Sequence, residues 1–382
     1  MDPATFPSLP ELAQQMRREL DTKKFVLLYA YNGTGKTRLS MAFRDIGRVV
    51  NSDGETTQRD TLYFNAYTED LFIWDNDLES DRHRVLELND GSKFFDGVRE
   101  LEMEVKISRF LDRYANFSFY IDYDRKAPRT DSDEAERTLP PAVMFFRQRD
   151  LNGDPIPIKI SRGEENIFIW CFFLAIVQLV LDGAEAYKWV KYIYIDDPVS
   201  SLDEHNVIAV ANHLAQMLTQ AEKAVKTVVS THHVLFFNVL GNEFKKKAQR
   251  HFLKAGGAPD SYLLLDTGVK PFLQHLSTLV DLYELQLSGA LYTHHINMMR
   301  RVMEQTASFF GLDDWKACIV VTDDDPDRTL YKRMIDLMSH GDYSLYEPRE
   351  MMEENKVYFR TIFRRFIAEH PFNPALFPSQ NG

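Results

Sequence analysis

Residues 30–37 read Ala-Tyr-Asn-Gly-Thr-Gly-Lys-Thr, which has the composition of a loop that holds the phosphates of a nucleotide. Gly33 and Gly35 let backbone N–H groups converge on phosphate oxygens, and Lys36 neutralises those oxygens. The hydroxyl of Thr37 is a ligand for Mg²⁺. The sequence therefore predicts a site for a nucleoside triphosphate and Mg²⁺, formed by Asn32, Gly33, Gly35, Lys36 and Thr37.

The surroundings of this loop support that interpretation. An apolar strand over residues 24–29 precedes it, and a helix is predicted from about Lys36, so the order is strand, loop, helix. Ala30 stands where the first glycine of the motif is usual. We therefore expect the first loop position to take an ordinary backbone conformation, because alanine does not favour positive φ.

Three further segments follow the loop in a fixed order. Residues 160–164 read Ile-Ser-Arg-Gly-Glu, residues 192–197 are an apolar strand that ends in two aspartates, and residues 200–203 read Ser-Ser-Leu-Asp. In this order they resemble the signature, Walker B and D-loop segments of ABC-type ATPases. A signature sequence acts on the nucleotide of another protomer, so the resemblance implies nucleotide binding and the pairing of two chains.

The resemblance to ABC-type ATPases implies roles for three residues near the phosphates. Asp196 would hold Mg²⁺ from the end of its strand. Asp197 stands where ABC proteins usually carry the glutamate that polarises the attacking water, and aspartate is one methylene shorter. His232 follows the strand at 227–230, as the switch histidine of ABC proteins does. We therefore expect slow hydrolysis of ATP or GTP, between which the sequence does not choose.

The same resemblance implies that a second set of residues completes the nucleotide site across a homodimer. These residues are Ser161, Gly163, Glu164 and Asp203. Glu164 also suits the positive end of a helix dipole without any function. The glutamine of the ABC Q-loop is absent from residues 65–70, where Asn65 and Glu69 remain alternatives.

The C-terminal part has three ionisable residues that are candidates for function: Arg300, Glu304 and His340. Arg300 and Glu304 are four residues apart, so on a helix they share one face. The simple interpretation of that spacing is an ordinary surface ion pair, worth a few tenths of a kcal/mol. By itself, His340 is typical of a surface or capping histidine.

Several segments together resemble the PrrC anticodon nucleases. They are residues 64–77, 160–170, 192–203 and 230–240, and the set Arg300, Glu304 and His340. The resemblance covers most of the chain and departs in parts of residues 80–140 and in residues 322–327. It implies a latent antiviral toxin that cuts a tRNA, expected to be tRNA-Lys, in its anticodon loop. It also implies that Arg300, Glu304 and His340 are a metal-independent nuclease triad, and that a type I restriction–modification complex silences the protein.

Composition limits the class of protein. The chain has 382 residues and a formal net charge of −12, which disfavours broad non-specific binding to duplex nucleic acid. Its two cysteines, Cys171 and Cys318, fit buried thiols in a reducing compartment. The apolar stretch 167–181 is shorter than a typical membrane span and contains Gln178, which favours a buried core helix. We therefore expect a cytoplasmic protein without a membrane segment.

The pattern of elements predicts an α/β protein with two domains. Apolar strands alternate with helices as far as a hairpin over residues 251–266, which indicates an ABC-type P-loop NTPase domain at residues 1–267. Helical patterns at 270–288, 290–310, 330–339 and 350–369 predict a mostly α-helical C-terminal domain at residues 268–382. The resemblance makes this second part the anticodon nuclease domain.

Other functions remain open from the sequence. The first alternative is an ABC-type ATPase that serves as a scaffold or signalling subunit of a defence or DNA-repair system and has no nuclease activity. A DNA-end-processing ATPase is disfavoured by the acidic charge and by the lack of a heptad coiled coil between residues 37 and 160. Assembly beyond the dimer, for example into a dimer of dimers, also remains open.

Overall fold

The structure, a computed structural model, describes residues 4–52, 56–65, 72–76, 84–89, 102–126, 139–199, 202, 204–221, 225–258, 260–268, 272, 274–319 and 349–377. The chain forms two compact units, Met1–Phe272 and Leu273–Gly382. Phe272 lies in the first unit, and its ring centroid is 4.7 Å from that of Tyr29 and 5.1 Å from that of Phe252.

The first unit combines strands and helices. Its strands are β1 (Ala4–Phe6), β2 (Phe25–Ala30), β3 (Val49–Val50), β4 (Thr56–Gln58), β5 (Thr61–Asn65), β6 (Phe72–Asn76), β7 (Arg84–Leu88), β8 (Ser118–Asp122), β9 (Ala142–Arg149), β10 (Pro155–Pro157), β11 (Tyr192–Asp196), β12 (Lys226–Thr231), β13 (Ala248–Ala255) and β14 (Tyr262–Asp266). Its helices are α1 (Leu9–Thr22), α2 (Lys36–Asp45), α3 (Met103–Leu111), α4 (Arg162–Leu181), α5 (Glu204–Gln220) and α6 (Val234–Phe244). The predicted α/β class is confirmed.

The main sheet has the strand order β1-β14-β13-β2-β12-β11-β5. Its five strands from β13 to β5 are parallel, while β14 and β1 are antiparallel additions at one edge. In this register Asp196 lies between Asn65 and Ser230, and Thr231 lies beside Tyr29. The carboxyl ends of the parallel strands therefore meet at one edge, where open α/β sheets place their ligands.

Both faces of the main sheet are covered, which explains its apolar strands. Alternate residues of β2 point to opposite faces. Val26 and Leu28 belong to a core shared with α1 and α2, whereas Phe25 and Leu27 belong to a core shared with α4, α5 and α6. The strand is consequently buried along its whole length, as a central parallel strand should be.

A smaller antiparallel sheet packs against α4. Its strand order is β10-β9-β7-β6, and β8 also pairs with β9. Rings of Phe119 and Phe145 lie 4.9 and 5.1 Å from the ring of Phe168 on α4. By length and apolar composition, α4 is the helix among the described residues that could cross a membrane, but most of it is buried inside this unit. The predicted buried core helix is confirmed.

The second unit is helical in its described part. It contains α7 (Gln274–Ser288), α8 (His294–Phe310), a short 3₁₀ helix (Trp315–Cys318) and α9 (Glu353–Glu369). The predicted helix at 330–339 lies outside the described residues. One side of α8 packs into the core through Ile296, Met299, Val302, Met303 and Ala307. The helical period therefore leaves Asn297, Arg300, Arg301 and Glu304 on its outer side.

Candidate functional site

The phosphate loop joins β2 to α2 at the carboxyl edge of the main sheet. Gly33 and Gly35 have φ angles of 81° and 105°, in the left-handed region that favours glycine. A Cβ on Gly33 would meet no atom within 4 Å, so the loop leaves open space beside its backbone. The predicted roles of these two glycines thus agree with the backbone that the loop adopts.

Lys36 begins α2 and is only 7% exposed. Its Nζ donates to Asn32 Oδ1 at 3.2 Å and to the carbonyls of Ala30 and Tyr31 at 3.5 Å. The same Nζ lies 3.7 Å from Asp197 Oδ2. The loop therefore holds its cation inside the fold, where attraction for an anion is weakly screened by water.

Thr37 and Asp196 form a pair of oxygen ligands next to the phosphate loop. The Thr37 hydroxyl donates to Asp196 Oδ2 at 2.9 Å, and the Ser230 hydroxyl donates to Asp196 Oδ1 at 2.6 Å. Burial raises the pKa of Asp196, against the lowering effect of these two hydrogen bonds. A hydroxyl and a carboxylate at this place are the ligands that P-loop proteins give to Mg²⁺, so the residues fit that cation.

Asp197 and His232 form a close pair beside Lys36. Asp197 has φ of 53°, which is uncommon for a residue with a side chain, and its N–H donates to the Ser230 carbonyl at 2.8 Å. Asp197 Oδ2 lies 2.5 Å from His232 Nδ1, and Oδ1 accepts from the Thr231 hydroxyl at 3.2 Å. Burial acts to raise the pKa of Asp197, but the hydrogen bond and charge of His232, with the charge of Lys36, lower it overall.

The hydroxyl of Tyr63 links Asp196 to the neighbouring strand. It lies 3.5 Å from Asp196 Oδ2 and accepts from Asn65 Nδ2 at 3.1 Å and from Ser40 Oγ at 3.2 Å. Burial raises the pKa of Tyr63, so this hydroxyl keeps its proton at neutral pH. Asn65, one of the two alternatives for the Q-loop position, thus belongs to the site, whereas Glu69 lies outside the described residues.

These side chains surround one cavity of about 420 Å³. The loop, the strand ends and the start of α2 all contribute to it. The residues that line it are Asn32, Gly33, Gly35, Lys36, Thr37, Arg38, Asn65, Asp196, Asp197 and His232. The structure therefore brings together all the residues that the sequence placed around the nucleotide within one chain.

The signature segment lies at the start of α4. Ser161 caps this helix, because its hydroxyl accepts from the Glu164 N–H at 3.3 Å while Glu164 Oε2 accepts from the Ser161 N–H at 2.8 Å. Arg147 donates to the other carboxylate oxygen of Glu164 at 2.6 Å. These contacts lower the pKa of Glu164, the backbone N–H of Ser161 most strongly. A Cβ on Gly163 would meet no atom within 4 Å. Asp203 lies outside the described residues.

Arg300 and Glu304 lie on the outer side of α8 in the second unit. Arg300 Nε donates to Glu304 Oε1 at 2.8 Å, and the side chains are 37% and 44% exposed. The guanidinium of Arg300 also lies over the ring of Trp315, 5.5 Å from its centroid. The pair is thus more than a free surface contact, since an aromatic ring orients the arginine.

A second cavity, of about 390 Å³, adjoins this pair. It is lined by His294, Asn297, Met298, Arg300, Arg301 and Glu304. The position of His340, the third member of the predicted triad, lies outside the described residues. The structure therefore joins two of the three predicted nuclease residues at one cavity and leaves the third as a prediction.

Sequence similarity to a known protein shows the family of this chain. The chain is 31% identical over 377 residues to a protein from Escherichia coli described as "Anticodon nuclease", and the match covers 88% of this chain and 90% of that protein. The chain belongs to the anticodon nuclease family. Residues 145–364 of this family member also match the family described as "AAA domain", which identifies a nucleotide-binding ATPase.

Two solved structures are similar to this anticodon nuclease family member. One is the "Crystal structure of the SmcHead bound to the C-winged helix domain of ScpA", with 12% identity, a TM-score of 0.34, and cover of 64% of this chain and 91% of that chain. The other is the "SMC head domain from Thermotoga maritima", with 11% identity, a TM-score of 0.28, and cover of 64% and 90%.

Sequence reasoning missed several residues that line or support the candidate sites of this protein. Ser230 could have been found from its strand, because it lies two residues before His232. Tyr63 carries no such signal, because its contact with Asp196 depends on the order of the strands. No spacing signal joins Arg147 to Glu164, which are brought together by β9 and α4. His294 and Asn297 carry a signal, since they recur with Arg301 and Glu304 at helical spacing.

Proposed function

We propose that this protein is a nucleotide-gated endoribonuclease that cuts a tRNA, with tRNA-Lys the expected substrate, in its anticodon loop. Membership of the anticodon nuclease family and the match to an ATPase domain support this proposal. The observation that carries it is the Arg300–Glu304 pair at 2.8 Å on the wall of a cavity in the second unit. A cation and a carboxylate at one cavity are groups that RNA cleavage needs.

Cleavage of RNA without a metal uses the ribose 2′-OH as nucleophile. A base must take the 2′ proton, an acid must protonate the departing 5′ oxygen, and a cation must stabilise the phosphorane. Glu304 and His340 would supply the base and the acid, in either order. Arg300 would hold the phosphate through its planar guanidinium. The expected products carry a 2′,3′-cyclic phosphate and a 5′-OH.

Chain length limits how far His340 can lie from the start of α8. Arg349, the first residue described after position 340, accepts a hydrogen bond through its carbonyl from the Thr293 N–H at 2.9 Å, just before α8. A chain from 340 to 349 spans at most about 30 Å. From His294 to Glu304, α8 rises about 15 Å. Chain length therefore permits His340 to reach Arg300 and Glu304.

The first unit would act as the switch for this nuclease. When bound, Mg²⁺ would neutralise phosphate charge, with Thr37 and Asp196 as its protein ligands. Lys36 would hold the phosphates, and Asp197 would orient the attacking water while His232 fixes its carboxylate. Because aspartate is shorter than the usual glutamate and is already engaged by His232, we expect slow turnover and a long-lived bound state.

Pairing of two chains would connect the switch to the nuclease. Ser161 and Gly163 at the start of α4, with Glu164 and Asp203 nearby, would complete the nucleotide site of a second copy. The open space beside Gly163 supports this role, because the fold itself does not require a glycine there. A homodimer, further paired into a dimer of dimers, would act in the cytoplasm under the control of a type I restriction–modification complex.

The test is sequencing of RNA ends after expression of the wild type and of three variants, Arg300→Ala, Glu304→Gln and His340→Ala. We expect one cut in one anticodon loop with the wild type and none with the variants. Each variant should bind nucleotide as the wild type does, because the substitutions lie in the other unit. Glu369→Gln, at an exposed glutamate of α9, is the matched control and should cut normally.

Three outcomes would each contradict part of the proposal. Cleavage by the Glu304 and His340 variants at the wild-type rate would remove these residues from the chemistry. Absence of any cut by the wild type, with nucleotide supplied and hydrolysed, would favour the alternative function of an ATPase scaffold or signalling subunit. Loss of cutting on chelation of Mg²⁺ from a purified, nucleotide-loaded dimer that stays assembled would contradict the metal-independent step.

A further inference from the structure

The cavity beside α8 has two chemically different ends. Arg300, Arg301 and Glu304 make one end charged, and the proposed cleavage chemistry uses that end alone. His294 and Asn297 line the other end, at the start of the helix. Burial lowers the pKa of His294, so its imidazole is neutral at physiological pH. A neutral ring and an amide beside a charged pair are suited to a base attached to a phosphate.

The ring of His294 belongs to a cluster of three rings. Tyr292 lies 6.1 Å from it with an interplanar angle of 23°, and His295 lies 4.0 Å from it, edge to face. His295 is buried, and its Nδ1 accepts a hydrogen bond from the Tyr292 N–H at 3.0 Å. Tyr292 is 37% exposed. The three rings thus form an aromatic surface that extends from the buried His295 to the exposed Tyr292.

Backbone pairing fixes this aromatic surface in place. Tyr292 forms an antiparallel bridge with Glu350, and the Met351 N–H donates to the Leu291 carbonyl at 2.9 Å. The carboxylate of Glu350 accepts from Nζ of Lys356 at 2.6 Å. Since Lys356 is buried in α9, the bridge is tied to the core. A surface held in this way loses little conformational entropy when a flat ligand stacks on it.

One side chain at this end has polar atoms suited to reading such a ligand. Nδ1 of His294 is buried, so His294 offers the face of its ring and not this nitrogen. Asn297, one turn later on the same side of α8, carries both a donor and an acceptor. Asparagine amides recognise base edges, and unpaired RNA bases stack on aromatic side chains.

We infer that His294 and Asn297 form a subsite for one unpaired nucleobase of the RNA, next to the phosphate that Arg300 holds. This inference rests on the proposed function and deepens it, because it assigns residues that select the nucleotide beside the cut. His294 stacks on the face of the base and positions it. Asn297 reads the edge of the base and so contributes to specificity.

The test uses the full-length, nucleotide-loaded protein and an anticodon stem-loop RNA. Each base flanking the cut is replaced in turn by an abasic residue, and kcat/KM is measured. With the wild type, we expect one replacement to lower kcat/KM by about 10- to 100-fold, the range for the loss of one base–aromatic stack. With His294→Ala, the same replacement should lower kcat/KM by less than about 3-fold. With His294→Phe, which keeps a ring, the large effect should remain.

A second series tests the reading of the base edge. Base analogues with altered hydrogen-bonding groups are placed at the sensitive position. Asn297→Ala should reduce the discrimination among them by about 10-fold, whereas Gln305→Ala, an exposed amide on the same helix outside the cavity, should not. Thermal unfolding of each variant separates loss of folding from loss of recognition, and a destabilised variant is assayed at a temperature where it is folded.

The outcomes distinguish this inference from the function on which it depends. If the wild type cuts the stem-loop but the abasic effect is equally large in His294→Ala, the subsite is wrong and the nuclease stands. If Asn297→Ala and Gln305→Ala discriminate alike, Asn297 does not read the base. If the wild type cuts no RNA, the proposed function fails and the subsite fails with it.

Discussion

The two cavities of this protein are built in different ways. Side chains from the ends of three parallel strands and the start of α2 converge on the nucleotide cavity, and Lys36 and Asp196 are almost fully buried there. Among the described residues, the cavity of the second unit is lined by α8 alone, and Arg300 and Glu304 are 37% and 44% exposed. The first site is formed by the ends of the sheet strands. The second lies on the surface of one helix, beside the segments that pack around that helix.

This difference determines what each site does to the fold. Burying a carboxylate is costly, and burial raises the pKa of Asp196 despite its two hydrogen bonds, so this carboxylate is an unfavourable charge in the core. An exposed ion pair on a helix changes stability by only a few tenths of a kcal/mol. Substitutions in the first site should therefore alter both stability and function, while those in the second should alter function alone.

The largest expected effect is on RNA cleavage. Glu304→Gln keeps the size of the side chain but removes its ability to transfer a proton, so we expect the rate to fall by about 100- to 10,000-fold. Nucleotide affinity should not change. Single-turnover cleavage of an anticodon stem-loop, with Glu369→Gln as control, measures the effect. If Glu304→Gln lost nucleotide binding as well as cleavage, the two cavities would not act as separate sites.

The next effect is on nucleotide binding. Lys36→Ala removes a buried cation that faces the phosphates, and we expect affinity to fall by about 10- to 100-fold, in line with hydrogen bonds to charged groups. If nucleotide gates the nuclease, cleavage should fall in parallel. Titration calorimetry with ATP and with GTP gives the affinities, and Lys188→Ala, at a lysine that is 62% exposed, is the control. Cleavage that persists without bound nucleotide would contradict gating.

The free energy of unfolding should respond differently to substitutions at the two sites. In the absence of nucleotide, Asp196→Asn removes a charge whose burial is unfavourable, so the free energy of unfolding should rise by about 1 kcal/mol. Glu304→Gln should change it by less than about 0.5 kcal/mol. Urea unfolding measures both, and a large loss of stability in Asp196→Asn would show that Ser230 and Thr37 already stabilise the charge fully.

The stability that Asp196→Asn gains should depend on pH in a definite direction. Because burial raises the pKa of Asp196 above its ordinary 3.8, the folded protein holds this proton more tightly than the unfolded chain does. Below pH 3.8 both states are protonated and the advantage of asparagine is absent. The stability advantage of the asparagine variant should grow as the pH rises from 3.8 through the raised pKa of Asp196. Above that pKa the advantage should stay constant. If the advantage falls over this pH range instead, folding lowers the pKa of Asp196 and does not raise it.

The smallest expected effect compares two glycines at the ends of α4. Gly163→Ala should stabilise the isolated chain by about 0.5–1 kcal/mol, because the position is helical and has space for a Cβ. Gly183→Ala should destabilise it, because Gly183 has φ of 75°. If Gly163 contacts the nucleotide of a partner, its variant should also lose nucleotide-induced dimers in size-exclusion chromatography. Normal dimers would remove it from the interface.

Much of the nucleotide site could be predicted because its residues lie in short, contiguous motifs at strand ends. The strand at 192–196 and the loop at 30–37 are local features, and parallel pairing must bring their ends together. Tyr63 could not be predicted in the same way, since its contact with Asp196 depends on β5 being the neighbour of β11. Strand order is a property of the whole chain and leaves no local signal.

The second unit was less predictable for the same reason. Helical spacing places Arg300 and Glu304 on one face, but the spacing does not show that a cavity lies beside them. The ring of Trp315, the bridge at Tyr292 and the anchor at Lys356 come from separate segments that pack around α8.

The N-terminal helix α1 of the first unit was also missed, although the sequence carries its signals. Ser8 caps this helix, and its buried face is formed by Leu9, Leu12, Ala13, Met16 and Leu20.

The burial of α4 has a consequence for synthesis of the protein on the ribosome. Four aromatic partners of its rings, Phe64, Phe72, Phe119 and Phe145, precede α4 in the chain. A segment this apolar is an aggregation hazard if it leaves the exit tunnel before the surfaces that cover it. Here these four aromatic partners are translated first, so part of the surface that covers α4 is already synthesised when this most hydrophobic helix leaves the tunnel.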